Sequence, residues 1–306
     1  MKAAIKKAAV AVLSPRVIEL LRRVRLQPNL AAAAVESLQP PDWEAVADSD
    51  SVWQVPAGWA HGSIAARQVE KWDSFAADLT VPQAFGRSHE AAPDASSDVS
   101  AHNTIMTFAY VLGRVLAERL DGTMPTVMDW GGGLGHYHRY ARALFPRTPF
   151  AYTIKDLEEL CVAGRARNPD ATFTADDEEA FGKRYDFVFA SSALHYSRDV
   201  YDVTARLCAS ASQYFMVTRT PFVDNVDDFI VVQRPERYGY FTEYAGWFLN
   251  RSRFIGHVTK QGFELEREFL LAERPHVFNA PEQCFYRGFL FKRTLNGSSS
   301  SMRMNN

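Results

Sequence analysis

Thr126-Val127-Met128-Asp129-Trp130-Gly131-Gly132-Gly133-Leu134-Gly135-His136 is the stretch that decides the fold. An apolar run, Thr126–Met128, ends on an acid and opens into glycines at 131, 132, 133 and 135. Glycines belong where the chain must turn sharply and let a ligand approach the backbone. A helix starting near His136 would aim free N–H groups and a partial positive charge at whatever the loop holds. The dinucleotide fingerprint G-x-G-x-x-G/A fits no register. From Gly131 it needs a small residue where His136 stands, and from Gly133 where His138 stands. From Gly132 it fails at Leu134.

Working outward, short apolar runs alternate with helical stretches. The runs are Thr126–Trp130, Phe150–Ile154, Thr172–Thr174, Phe187–Ala190 and Tyr214–Thr218. The helical stretches between them are His136–Phe145, Leu157–Arg167, Asp177–Phe181 and Ser197–Ala209. That alternation predicts a parallel sheet with helices on both faces. A helix over Asn103–Leu120, with apolar residues at Ile105, Phe108, Val111, Leu112, Val115 and Leu116, precedes the first strand and stops at Asp121-Gly122. Phe263–Phe269 and Cys284–Lys292 read as two more strands, the second apolar enough to be buried.

The remaining chain divides by composition. Residues 1–26 carry seven basic side chains against Glu19 and place Ile5, Val12, Leu13, Val17, Leu20, Leu21 and Val24 near helical spacing. Such a helix either lies on an anionic membrane surface or packs on the protein with a solvated basic face. Its apolar stretch is too short for an export signal. Residues 27–100 read as an irregular cap rich in proline and tryptophan, ending in an exposed acidic loop over 90–100. Residues 101–294 form the ligand-binding domain, and 295–306 a disordered tail.

With 306 residues, 47% hydrophobic and 23% charged, the composition is that of a globular protein. A net charge of −2 argues against a nucleic-acid partner, and no N/D-P-P-Y/F follows the fourth strand of the domain. Three scattered cysteines, Cys161, Cys208 and Cys284, form no metal or disulfide pattern and fit reduced thiols in the cytoplasm.

The spacing that does fit is D-x-G-x-G-x-G: Asp129, Gly131, Gly133 and Gly135. It resembles motif I of class I S-adenosyl-L-methionine (SAM)-dependent methyltransferases. The resemblance implies a Rossmann-like α/β sheet of seven strands with the last antiparallel. It also implies that Asp129 and the loop Gly131, Gly132, Gly133 and Gly135 hold the methionine end of SAM. Asp156 follows the second strand at the distance of a ribose-binding acid; Glu158 is the nearby alternative, and a plain helix cap is the other reading of Asp156. In Ala175-Asp176-Asp177 the resemblance puts an acid near the adenine amino group, with either aspartate able to serve or to cap the next helix.

Ser191-Ser192-Ala193-Leu194-His195-Tyr196 follows the fourth strand, at the sheet end where reaction centres lie. Ser191 is a cofactor-side candidate. His195 and Tyr196 are the catalytic candidates, His195 as the base that takes a proton near neutrality, with a core histidine as the competing reading. His136 and His138 read as loop support, and His102 as a weaker pocket candidate. Trp43, Trp59, Trp247, Tyr238, Tyr240 and Tyr244 are candidate pocket walls. The acids Asp224, Asp227 and Asp228 read as a solvated loop rather than a metal site.

The basic N-terminal helix, the tryptophan cap, D-W-G-G-G-L-G, S-S-A-L-H-Y and Y-R-G-F-L-F together are similar to a family of bacterial methyltransferases associated with surface-polysaccharide gene clusters. That closer resemblance implies O-methylation of a small-molecule or glycan acceptor, with the protein in the cytoplasm or peripheral at the inner membrane face through residues 1–26. The competing function is a scaffold that keeps the fold and binds without chemistry.

Overall fold

Apolar alternation and turn chemistry place the elements in this order. The chain runs through β1 (Trp43–Val46), α1 (Gly62–Asp78), α2 (Val99–Glu118), β2 (Thr126–Trp130) and α3 (His136–Leu144). It continues through β3 (Ala151–Lys155), α4 (Glu158–Arg165), β4 (Thr172–Thr174), α5 (Asp177–Phe181) and β5 (Tyr185–Ser191). Then follow α6 (Val200–Ser210), β6 (Ala211–Val223), β7 (Phe229–Gln233), β8 (Tyr244–Asn250), α7 (Arg251–Lys260), β9 (Phe263–Leu270) and β10 (Phe285–Arg293). This computed structural model describes residues 40–47, 50–54, 58–86, 98–118 and 122–294. The expected helix over 1–26, the tail over 295–306 and most of the acidic loop lie outside the described residues. The described residues from Asp42 onward form one compact unit.

Strand β2 is central, with β3 on one side and β5 on the other, all parallel. The core order is β4-β3-β2-β5-β6, followed by β10 and β9. β10 runs antiparallel to both β6 and β9. This is the seven-stranded Rossmann-like sheet with its last strand antiparallel. Pleating sends alternate residues to opposite faces. Phe187 and Phe189 of β5 pack with Phe108, Tyr137 and Leu112 under α2 and α3. Val188 and Ala190 pack with Leu207 and Phe254 under α6 and α7. Each fully buried phenylalanine contributes about 1.5–3 kcal/mol of transfer free energy.

Three features differ from the sequence expectation. Helix α2 starts at Val99 rather than Asn103, because Asp98 caps it: its carboxylate accepts the Ala101 N–H at 2.9 Å. Residues 62–78, expected as irregular, form α1; Ile64, Gln68, Trp72 and Phe75 give it one buried face at helical spacing. Strand β6 runs past Thr218 to Val223 and joins the core sheet to an extension, β8-β7-β1. The join is a bend at Arg219, with φ +49°, where the pairing with β10 shifts register between Arg287 and Phe289. Beyond it Phe222 and Val223 pair with Leu249 and Asn250 of β8. Among the described residues no helix is long and apolar enough to cross a membrane.

Candidate active site

The glycine loop lies where the strand order reverses, between β3 and β5 at the carboxyl end of β2. In an open α/β sheet that switch point is the ligand crevice. A cleft opens there, walled by Gly131, Gly132, Gly133, Asp156, Ser191 and Tyr196, among others.

Asp156 fixes the shape of the loop. One carboxylate oxygen accepts the Gly133 N–H at 2.7 Å and the other accepts the Leu157 N–H at 2.7 Å. The same side chain therefore ties the glycine loop to the residue that precedes α4. Burial raises its pKa, while the two backbone N–H groups pull the other way. Each oxygen retains acceptor capacity for a ligand hydroxyl. Glu158 is exposed and paired with Arg165.

Asp129 lies under the loop, 1% exposed. The Tyr152 hydroxyl donates to one of its oxygens at 3.1 Å; the other has no partner among the described residues. A Cβ on Gly132 would stand 2.7 Å from this carboxyl, so only glycine lets the loop close over it. On the other side, Gln68 of α1 is 6% exposed, and its amide oxygen also lacks a partner among the described residues. It borders the cleft 2.9 Å from where a Gly133 Cβ would be. An unmet buried acceptor costs about 1–3 kcal/mol, and a cationic or N–H-bearing ligand end in the cleft would relieve that of Gln68. Gly135, at φ +88°, precedes α3. Its carbonyl neighbour at Leu134 is held by the Asn168 amide at 2.6 Å, and Asn168 in turn meets His138 at 3.1 Å. His138 thus supports the loop from below, its pKa lowered chiefly by burial.

The buried carboxyl has a measurable signature. Burial, with Asp156 adding to it, lifts the Asp129 pKa to about 8, against the Tyr152 hydrogen bond. The folded protein then keeps a proton that the unfolded chain releases near pH 4, at about 3.9. The contribution of Asp129 to stability therefore falls as pH climbs from about 4 to about 8. Asp129→Asn removes that loss. The variant is expected to melt above the wild type at about pH 8, with the difference closing towards about pH 5. A pH series of thermal melts reads it, and a constant difference across the series contradicts a protonated Asp129.

The other wall carries backbone strain. Ser192 (φ +52°) and Arg219 (φ +49°) are adjacent non-glycine residues in the left-handed region, joined by the Ser192 N–H to the Thr218 carbonyl at 3.0 Å. Such strain clusters at functional sites. Ser191 meets the Tyr137 hydroxyl at 2.9 Å. The Tyr196 hydroxyl donates to Gln233 at 2.6 Å, and its ring packs on Trp59 and Tyr244.

Four sequence candidates, Asp129, Gly135, Asp176 and His195, do not line the cleft. His195 is fully buried behind Tyr196, and neither ring nitrogen has a partner among the described residues. Burial, then the charge of Arg219, lowers its pKa to about 3. An imidazole so weakly basic and out of the cleft is poorly suited as the proton acceptor; the core reading of His195 fits its place. Asp176 caps α5, accepting from the Glu178 and Glu179 N–H groups at 2.7 and 3.0 Å, and does not line the cleft. Asp177 pairs with Lys155 at 2.6 Å. Among the aromatic candidates, Trp43, Trp59, Tyr238 and Tyr244 do line the cleft or the cavity beside it, whereas Tyr240 is core and Trp247 faces a separate groove. His102 bonds the Phe85 carbonyl away from the cleft. Asp224 and Asp228 pair with Arg287 and Arg253. Gln68, Lys155, Leu157 and Arg219 are cleft residues that sequence reasoning missed. For Gln68 the signal was present: it falls on the apolar stripe of α1, where a polar residue is out of pattern.

No family model matches the sequence, and no curated protein matches it. Several solved structures are similar to it. One is provisionally described as a sarcosine dimethylglycine methyltransferase, from Galdieria sulphuraria; it shares 14% identity over 72% of this chain and 98% of that chain, with a TM-score of 0.47. A SAM-dependent methyltransferase from Clostridium acetobutylicum shares 9% over 61% of this chain and 91% of that one, with a TM-score of 0.42. An O-methyltransferase family protein from Burkholderia thailandensis shares 16% over 77% and 72%, with a TM-score of 0.42.

Proposed function

We propose that this protein is a SAM-dependent methyltransferase that methylates a hydroxyl of a small-molecule or glycan-type acceptor. The observation that carries the reading is the Asp156 clamp on Gly133 at the switch point of a seven-stranded sheet whose last strand is antiparallel. The residues present fit the cofactor. The unpartnered Gln68 oxygen at the cleft suits its ammonium, and Asp156 suits the ribose hydroxyls. Leu157 and Leu160 give the cleft an apolar wall for the adenine ring. Ser191 contributes a polar wall next to the loop.

When bound, SAM supplies a methyl group made electrophilic by its sulfonium, and sulfur keeps the bonding pair as that methyl leaves. The protein's work is then mostly alignment, which accounts for a large share of the barrier in displacements of this kind. Tyr196, held by Gln233, and Arg219, held by Glu273 at 2.9 Å, form a rigid mouth where an acceptor hydroxyl is oriented. The hydroxyl proton has two receivers beyond that mouth, the Glu273 carboxylate and the His276 imidazole. The family resemblance extends this reading to surface-polysaccharide assembly in the cytoplasm, with residues 1–26 resting on the inner membrane face and no nucleic-acid partner.

A thermal-shift titration with S-adenosylhomocysteine, with NAD as control, tests the reading. Ligand at about 100 times its Kd stabilises the protein by about 2.7 kcal/mol. The expected result is a saturable rise in Tm with S-adenosylhomocysteine alone. No shift at millimolar ligand would transfer the lead to a scaffold function.

A further inference from the structure

A second cavity of about 330 Å³ opens beside the cleft and shares Ser192, Tyr196 and Arg219 with it. Its other walls come largely from outside the seven-stranded core. Trp43 begins β1, Gln233 ends β7 and Tyr244 begins β8. The sheet extension therefore builds a chamber whose only shared wall with the cleft, among the described residues, is the pair of strained turns at Ser192 and Arg219 with Tyr196. A volume of this size suits a small ligand.

The charges of the chamber are unequal. Arg219, Arg237 and Arg274 face one carboxylate, Glu273. Arg219 is satisfied by that carboxylate and is mostly buried, so it acts as a strut. Arg237 pairs with Asp42 at 3.1 Å, but both side chains are about half exposed, and such a pair is readily exchanged. Arg274 lies over the Phe285 ring at 4.8 Å and has no ion-pair partner among the described residues. Guanidinium groups present paired donors that match the two oxygens of a carboxylate or phosphate.

We propose that this chamber is the acceptor subsite and that it takes a hydroxylated acceptor bearing an anionic group, a carboxylate or a phosphate. Arg274 and Arg237 hold the anion, Trp43 and Tyr244 flank the body of the molecule, and the hydroxyl meets the cleft at Tyr196. The proposal rests on the methyltransferase reading and narrows its substrate class.

The test uses the full chain saturated with S-adenosylhomocysteine. Inorganic phosphate, D-glucuronate and neutral D-glucose are titrated in turn by calorimetry. At least one anion is expected to bind saturably and glucose not; which anion binds separates phosphate from carboxylate recognition. The double variant Arg237→Ala, Arg274→Ala is expected to lose at least about tenfold in anion affinity, or 1.4 kcal/mol, with S-adenosylhomocysteine affinity unchanged. Retained cofactor-product affinity also shows that the variant is folded. A protein that binds S-adenosylhomocysteine and neither anion overturns the subsite alone. So does a double variant that binds the anion as the wild type does. A wild type that does not bind S-adenosylhomocysteine overturns the transferase reading and the subsite with it.

Discussion

Gly133→Val is expected to lose at least about 100-fold in affinity for S-adenosylhomocysteine, equivalent to about 2.7 kcal/mol. Gly133 sits at φ +57°. A β-branched residue is a true outlier there, and holding it costs about 1–3 kcal/mol. The chain relieves that strain by abandoning the turn. Doing so breaks the 2.7 Å bond from the Gly133 N–H to Asp156 and releases the acid proposed to hold the ribose. If the turn were kept, the new Cβ would press on the Gln68 amide oxygen at 2.9 Å, the group proposed to receive the ammonium. Either response damages the site. Isothermal calorimetry reads the effect, and wild-type affinity in this variant would remove the loop from the cofactor site.

Phe108→Ala is expected to destabilise the fold by about 3–5 kcal/mol without touching the cleft. Phe108 is fully buried on α2. Its ring lies 4.9 Å from Tyr137, 5.0 Å from Phe189 and 6.4 Å from Phe187. It joins α2 to both the central sheet and the helix that follows the glycine loop, and three large rings cannot collapse into the gap its loss leaves. Denaturant unfolding reads the change. A loss below about 1 kcal/mol, the range of conservative core changes, would show that α2 is not a structural part of the domain.

The sheet was legible because its strands obey local rules. Thr126–Trp130, Phe187–Ala190 and Cys284–Lys292 read as apolar-rich runs, and strands formed over Thr126–Trp130, Tyr185–Ser191 and Phe285–Arg293. The glycine loop was legible because φ values of +70°, +57° and +88° at Gly131, Gly133 and Gly135 demand that residue type. The extension β8-β7-β1 was not, because its strands gain their meaning from pairing with the far end of β6, across a bend at Arg219 that no local pattern announces. The same holds for the site. Asp156 was found by its spacing from the loop, whereas Gln68 reaches the loop from a helix more than sixty positions away. The burial of His195 was not legible for a related reason. Sequence places it at the right end of the right strand, but the turn at Ser192 rotates the next residues so that Tyr196 faces the cleft and His195 faces the core.

The glycine loop and Asp156 are the groups proposed to hold the cofactor. Backbone hydrogen exchange, measured with and without saturating S-adenosylhomocysteine, tests that role most directly. The account predicts slowed exchange at the Gly131, Gly132, Gly133 and Leu157 amides, and no such protection with NAD. Unchanged exchange at those amides, in a protein that binds the ligand, would place the cofactor elsewhere and contradict the account.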